Sequence, residues 1–202
     1  MVSVKTLNQF FERDPTNDFF SLLTLEHLHG SVSQYCTPHQ GVPEDIRDYF
    51  HVVVTLYLYG WLYYPFYTLA SERSFFAVEM ALRKRFPPQK LDKKGRDRRS
   101  LGDLLREAKD AGLLGDEGFP SLDNRRANAE ELNQHMSEIL GREPEPQPEI
   151  PYVDVLISTS PWLRNRFAHP DMQSILTPGQ ALDGLILAAE IINQLWPVSA
   201  SK

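Results

Sequence analysis

The sequence predicts an all-α protein: an antiparallel bundle of about four core helices with an N-terminal helical extension. Three observations predict it. Apolar residues recur at spacings of three and four along several segments. No segment alternates in the manner of a half-buried strand, and no internal repeat is present. Helix starts and stops are marked by Ser100, Thr177-Pro178, Pro87-Pro88 and Pro197.

Residues 4–13 and 17–28 read as an N-terminal helix pair or one broken helix, and 30–41 has turn composition. Pro43-Glu44-Asp45 looks like a helix first turn, with proline early and acids at the positive dipole end. The next helix is expected over 45–86, interrupted near Gly60 or Pro65. Beyond Pro65, the residues Phe66, Leu69, Ala70, Phe76, Ala77, Met80 and Ala81 form a bundle-facing stripe. Ser100 with Asp103 opens a helix to about Leu114, whose inward face is Leu101, Leu104, Leu105 and Ala108.

A turn is expected over 115–123, a helix over 127–140 closed by Gly141, and a stiff proline-rich connector over 142–149. The helix over 151–168 presents Val155, Leu156, Leu163 and Phe167, and Pro170 ends it. Thr177-Pro178-Gly179-Gln180 is a capping box for a last helix to Trp196, with Leu182, Leu185, Ile186, Ala189, Ile192 and Leu195 on one face. The domain reading is an extension at 1–64, a bundle at 65–197 with an insertion at 115–150, and a tail at 198–202.

Two hundred and two residues suffice for one domain with a substantial core. The one cysteine, Cys36, cannot close an internal disulfide, and no basic-then-apolar leader pattern is present, so a cytoplasmic setting is expected. Residues 51–71 carry no charge, but Tyr57, Tyr59, Tyr63, Tyr64, Tyr67, Gly60 and Pro65 dilute the stretch; a core helix is expected, not a membrane span. Net charge is −6, yet 11 of the 21 basic residues and only 5 acids lie between Arg83 and Asp110. This island is either a solvated helix end and loop or a contact for a polyanion.

His27, His29, Cys36 and His39, with Glu26 nearby, lack the paired spacing of a zinc site, so no metal is expected there. Neither a phosphate-cradling glycine loop nor a G-x-S-x-G elbow occurs, and no cofactor is expected.

The most compact group of reactive side chains is Leu163-Arg164-Asn165-Arg166-Phe167-Ala168-His169-Pro170. Arg164 keeps its charge and forks onto phosphate oxygens. His169 can exchange a proton near neutrality. The helix C-terminus favours the imidazolium and Arg164 opposes it, and sequence does not decide between them. Asn165 can orient either the histidine or a phosphate. RNA supplies its own nucleophile, the 2′-OH, so this set needs no metal. A symmetric dimer would bring two histidines together as acid and base. By spacing alone, an arginine separated from a histidine by four residues is common at helix ends, where it caps carbonyls or pairs an acid.

The run Arg164 to His169 resembles the signature of the HEPN superfamily. The segment Tyr67 to Arg83 resembles its first long core helix, 100–114 its second, and 177–196 the helix after the motif. The resemblance covers about 65–197. It implies an all-α, commonly dimeric bundle and, for many members, a metal-independent endoribonuclease in toxin–antitoxin, defence or RNA-processing roles. It implies catalytic roles for Arg164 and His169, with Asn165 in support. Pro170 and Asp171 follow the histidine, so the subgroup with a tyrosine two residues after it is disfavoured.

RNA, a second copy of the chain, and an antitoxin or other protein are the partners so implied. Lys90, Lys93, Lys94, Arg96, Arg98 and Arg99 would track the RNA backbone. Glu72 and Glu79 share a helix face; they either support the motif or lie on a solvated face, with Glu79 pairing Arg83. The other function left open is a catalytically silent module that binds nucleotide, RNA or protein.

Overall fold

A computed structural model describes residues 5–20, 23–88, 91–122, 134–135, 151–168 and 175–197; at 8 and over 161–168 it describes the backbone alone. All regular structure among these residues is helical.

The N-terminal segment departs from the sequence expectation. Among the described residues 5–20 only two 3-10 turns form, Leu7–Gln9 and Pro15–Phe19, and of the helix expected over 17–28 the part from Leu25 is helical. Polar groups of the second turn serve a distant junction. Asp14 Oδ2 accepts from Tyr64 N at 2.9 Å, and Asn17 Nδ2 donates to the carbonyls of Gly60 and Trp61. Burial alone would raise the Asp14 carboxyl; hydrogen bonds from Tyr64 and Thr16 outweigh it and hold it below its ordinary value.

The first helix, α1 (Leu25–Tyr35), is capped by Thr24 and runs straight through Gly30, where a turn was expected. Leu28 and Val32 lie one turn apart and are both buried. That burial outweighs the cost of about 1 kcal/mol for a glycine inside a helix. Next come α2 (Glu44–Tyr59) and α3 (Pro65–Arg85), separated at the predicted break. A side chain at Gly60 would place its Cβ 2.5 Å from the Tyr67 ring, so the close approach needs glycine there.

The α3 helix is the centre of the core, flanked by α2 and by the last helix. Its buried positions include Tyr67, Ala70, Ser71, Ser74, Ala77, Val78 and Ala81. The predicted stripe is wrong at Phe76, which is exposed and carries the Arg73 guanidinium 5.2 Å from its ring centroid.

The Ser100 capping box opens α4 (Leu101–Asp110), with the expected inward face buried. The helix stops four residues before Leu114, because Gly112 turns the chain with φ +68°. The segment expected as a turn contains a 3-10 turn, Asp116–Gly118, and Asp116 accepts from Tyr152 N and Val153 N. Of the helix expected over 127–140, only 134–135 is described, and it is helical; the connector over 142–149 lies outside the described residues.

Then α5 (Tyr152–Ala168) buries Val153, Leu156, Ile157 and Ser160, while Val155 is exposed; the side chains of Leu163 and Phe167 lie outside the described residues. The last helix, α6 (Pro178–Leu195), starts at the Thr177 capping box and ends one residue earlier than expected.

Matched contacts give the directions. Asp45 pairs with Lys84, and the Tyr57 and Tyr67 rings meet at 5.1 Å, so α2 and α3 are antiparallel. Lys109 pairs with Asp154 at 2.5 Å and Gly102 abuts Ser160, so α4 and α5 form a second antiparallel pair. Residues of α1 and α2 share one continuous core with α3, α4, α5 and α6. No described helix is long and apolar enough to cross a membrane.

Candidate functional site

The candidate site grows from the far end of α5. Asp116 seats the first turn of that helix by accepting its free N–H groups, where a carboxylate also meets the positive dipole end. Two turns on, Ser160 is buried and its Oγ donates to Ile157 O at 2.8 Å. Its partner surface is Gly102 in the first turn of α4. A helix rises about 1.5 Å per residue, so the backbone of Arg164 lies about 6 Å further along the axis than Ser160. Arg164 and Asn165 therefore belong to the last turns of α5. Their side chains, and all of His169, lie outside the described residues.

The chain is anchored again on the far side of the motif. Leu176 N donates to Thr68 Oγ1 at 2.9 Å, and Pro178 O accepts from the Tyr57 hydroxyl at 3.2 Å. These contacts tie the start of α6 to α3 and α2. Thr68, Ser160 and Asp116 had no catalytic signature in the sequence; they position backbone.

Glu72 follows Thr68 by one turn on α3. It is half-buried, and burial raises its carboxyl above the ordinary value, against the pull of the neighbouring Arg73 charge. Glu79, two turns further on, accepts from Arg83 Nε and Nη2 at 3.0 and 2.6 Å, the i,i+4 pair anticipated from spacing.

That pair belongs to a larger network. Arg83 Nη1 reaches Asp97, and Arg99 reaches Asp97, Glu107 and the Phe86 carbonyl. Hydrogen bonds from the Arg99 guanidinium and backbone N–H, with the charges of Arg99 and Arg83, pull the Asp97 carboxyl down to about 2. Arg99 thereby ties the end of α3 to α4 and differs from the other basic residues. Arg96 and Arg98 point outward and share Asp92 at 3.5 and 2.9 Å. Asp92 also accepts from the N–H groups of Lys94 and Arg96, which shapes the loop. Lys93 and Lys94 are exposed, and no ion pair of theirs occurs among the described residues. Lys90 lies outside the described residues.

The basic loop enters α4 at Ser100, two residues before the contact of Gly102 with Ser160. The loop end and the late turns of α5 thus share one end of α4.

Two members of the histidine–cysteine group, Cys36 and His39, have structural settings. Cys36 is buried, and burial with the Glu190 charge pushes its thiol up to about 12. His39 Nδ1 accepts from Gly41 N, and Nε2 lies 3.2 Å from Asn193 O, which fills both ring nitrogens. No cluster of three or more histidine, cysteine or acidic side chains suited to a metal occurs among the described residues.

No family model, curated protein or solved structure matches this chain.

Proposed function

We propose that the protein is a metal-independent endoribonuclease of HEPN type that acts as a homodimer. The observation that carries this reading is the Arg164-Asn165-x-x-x-His169 run, with Arg164 and Asn165 in the last turns of a helix. The helical order around it supports the reading: a long helix, a short capped helix, the motif helix and a second capped helix.

In this mechanism one His169 takes the proton of the ribose 2′-OH, whose oxygen attacks the adjacent phosphorus. Arg164 holds the non-bridging oxygens as charge builds on them. Asn165 orients these groups. His169 of the second copy protonates the departing 5′ oxygen. The P–O5′ bond breaks, leaving a 2′,3′-cyclic phosphate and a 5′-hydroxyl. Lys93, Lys94, Arg96 and Arg98 give the RNA backbone an exposed cationic track, with Lys90 assigned to it from sequence. Glu72 supports the motif from α3. A role as toxin or defence effector in the cytoplasm, held in check by an antitoxin or other protein, belongs to the same proposal.

The test is incubation of purified protein with mixed RNA in EDTA, alongside His169→Ala. EDTA-resistant cleavage that the substitution removes is the expected result. RNA binding without cleavage in both proteins would replace this reading with a silent binding module. Growth arrest on expression, relieved by Arg164→Ala, would mark a toxin.

A further inference from the structure

A cleft of about 400 Å³ lies between α1 and α2, far in sequence from the motif and within the size range of small-ligand sites. Val32, Phe50 and Val54 give it an apolar floor, and His29, Arg47 and His51 are among its polar walls. Arg47 is its unusual member. Among the described residues, Arg13, Arg83 and Arg99 are the other half-buried arginines, and each pairs with a carboxylate. Arg47 pairs with no carboxylate among the described residues; its Nη1 donates to Gln40 Oε1 at 2.7 Å. Its Nε is shielded from solvent and has no acceptor. A guanidinium partly withdrawn from water with no carboxylate bonded to it among the described residues is costly, and an anion beside it recovers that cost.

We infer that this cleft binds a small organic anion, a carboxylate or phosphate on a compact apolar body, with Arg47 as the anchoring cation. The anionic group takes N–H donors from the outer guanidinium nitrogens. The ring nitrogens of His29 and His51 are further donors within the cleft. The apolar body covers Val32, Phe50 and Val54. Asp48 also lines the cleft, at an exposed position, and its charge weakens the site.

A larger cleft, about 770 Å³ beside α6, lacks such an unmet group among the described residues. There Glu190 accepts from Ser121, His39 engages Asn193, and Gln194 accepts from Gly115. That cleft is a joint between elements.

The test is a titration of the full ¹⁵N-labelled chain with phenyl phosphate and, separately, with benzoate, followed by amide shifts. Saturable shifts confined to α1 and α2 are expected, at a dissociation constant of about 1 mM or tighter for at least one probe. The tighter probe names the preferred anion. Arg47→Gln should weaken binding by about tenfold or more, and Asp48→Asn should tighten it by about twofold. Absence of saturable shifts with both probes overturns the proposal. So do shifts centred outside α1 and α2, or equal affinity in a folded Arg47→Gln protein. If Arg47→Gln does not fold, Asp48→Asn decides, and unchanged or weakened binding overturns the proposal.

Discussion

Replacing Gly102 by alanine tests the joint that carries the motif helix. A methyl group there would stand 2.6 Å from Ser160 Oγ and 3.4 Å from Ile157 O. The first distance is far inside van der Waals contact. Ser160 is buried and its hydroxyl is engaged by Ile157 O, so relief requires a new rotamer or an outward shift of α5. Overpacking of this kind costs about 1–3 kcal/mol. Alanine recovers about 0.5–1 kcal/mol through helix propensity. At the middle of both ranges the net destabilisation is about 1 kcal/mol. Urea unfolding followed by circular dichroism reads it as a lower midpoint with an unchanged slope.

The double variant Gly102→Ala with Ser160→Ala removes the offending oxygen. It should return stability to the parental level or slightly above, a coupling of about 1–2 kcal/mol. A Gly102→Ala protein as stable as the parent while Ser160 is present would refute the packing argument. Strict additivity of the two substitutions would refute it equally.

At α3–α6, a methyl at Gly184 would lie 2.7 Å from Ser71 Oγ, so Gly184→Ala should also destabilise by about 1 kcal/mol, with Ser71→Ala as the rescuing partner in the same unfolding assay. The Asp97 carboxyl lies near 2 in the folded chain against an ordinary 3.8. A depressed carboxylate contributes stability that is present above its unfolded value and is lost as pH falls through the folded one. Urea midpoints should therefore decline between about pH 4 and pH 2, and Asp97→Asn should flatten that part of the profile. Cys36 is buried with its thiol pushed up to about 12, so a thiol-specific disulfide reagent at pH 8 should label it only as fast as the protein opens. Rapid labelling of the native chain, unaffected by mild denaturant, would contradict that burial.

Local chemistry was legible in the sequence. The capping boxes at Ser100 and Thr177 use residues three apart, so the pattern and the structure report one interaction. The break between α2 and α3 was legible for a similar reason, since Pro65 and Gly60 constrain the backbone where they stand. Features made by distant residues were not. Asp14 caps α3 from 50 positions away, and Asp116 seats α5 from 36. The passage of α1 through Gly30 depends on a core that Leu28 and Val32 meet only in the folded chain. Phe76 fitted a helical stripe, yet α3 turns Ser71 and Ser74 inward to admit the α6 backbone at Gly184. Small polar residues at a close helix crossing look like surface positions in a sequence. At the candidate site, the order of helices and the helical setting of Arg164 and Asn165 were legible. The tie of Arg99 to Asp97 and Glu107 was not, because a cationic run reads the same whether its carboxylate partners are near or absent.

The most direct measurement is the chemistry of the RNA ends left by the purified protein in EDTA, by ³¹P spectroscopy and mass spectrometry. Expected are 2′,3′-cyclic phosphate with 5′-hydroxyl fragments from the parental chain, and intact RNA with Arg164→Ala or His169→Ala. Fragments that persist in both variants, or that carry 5′-phosphates, would contradict the proposed mechanism.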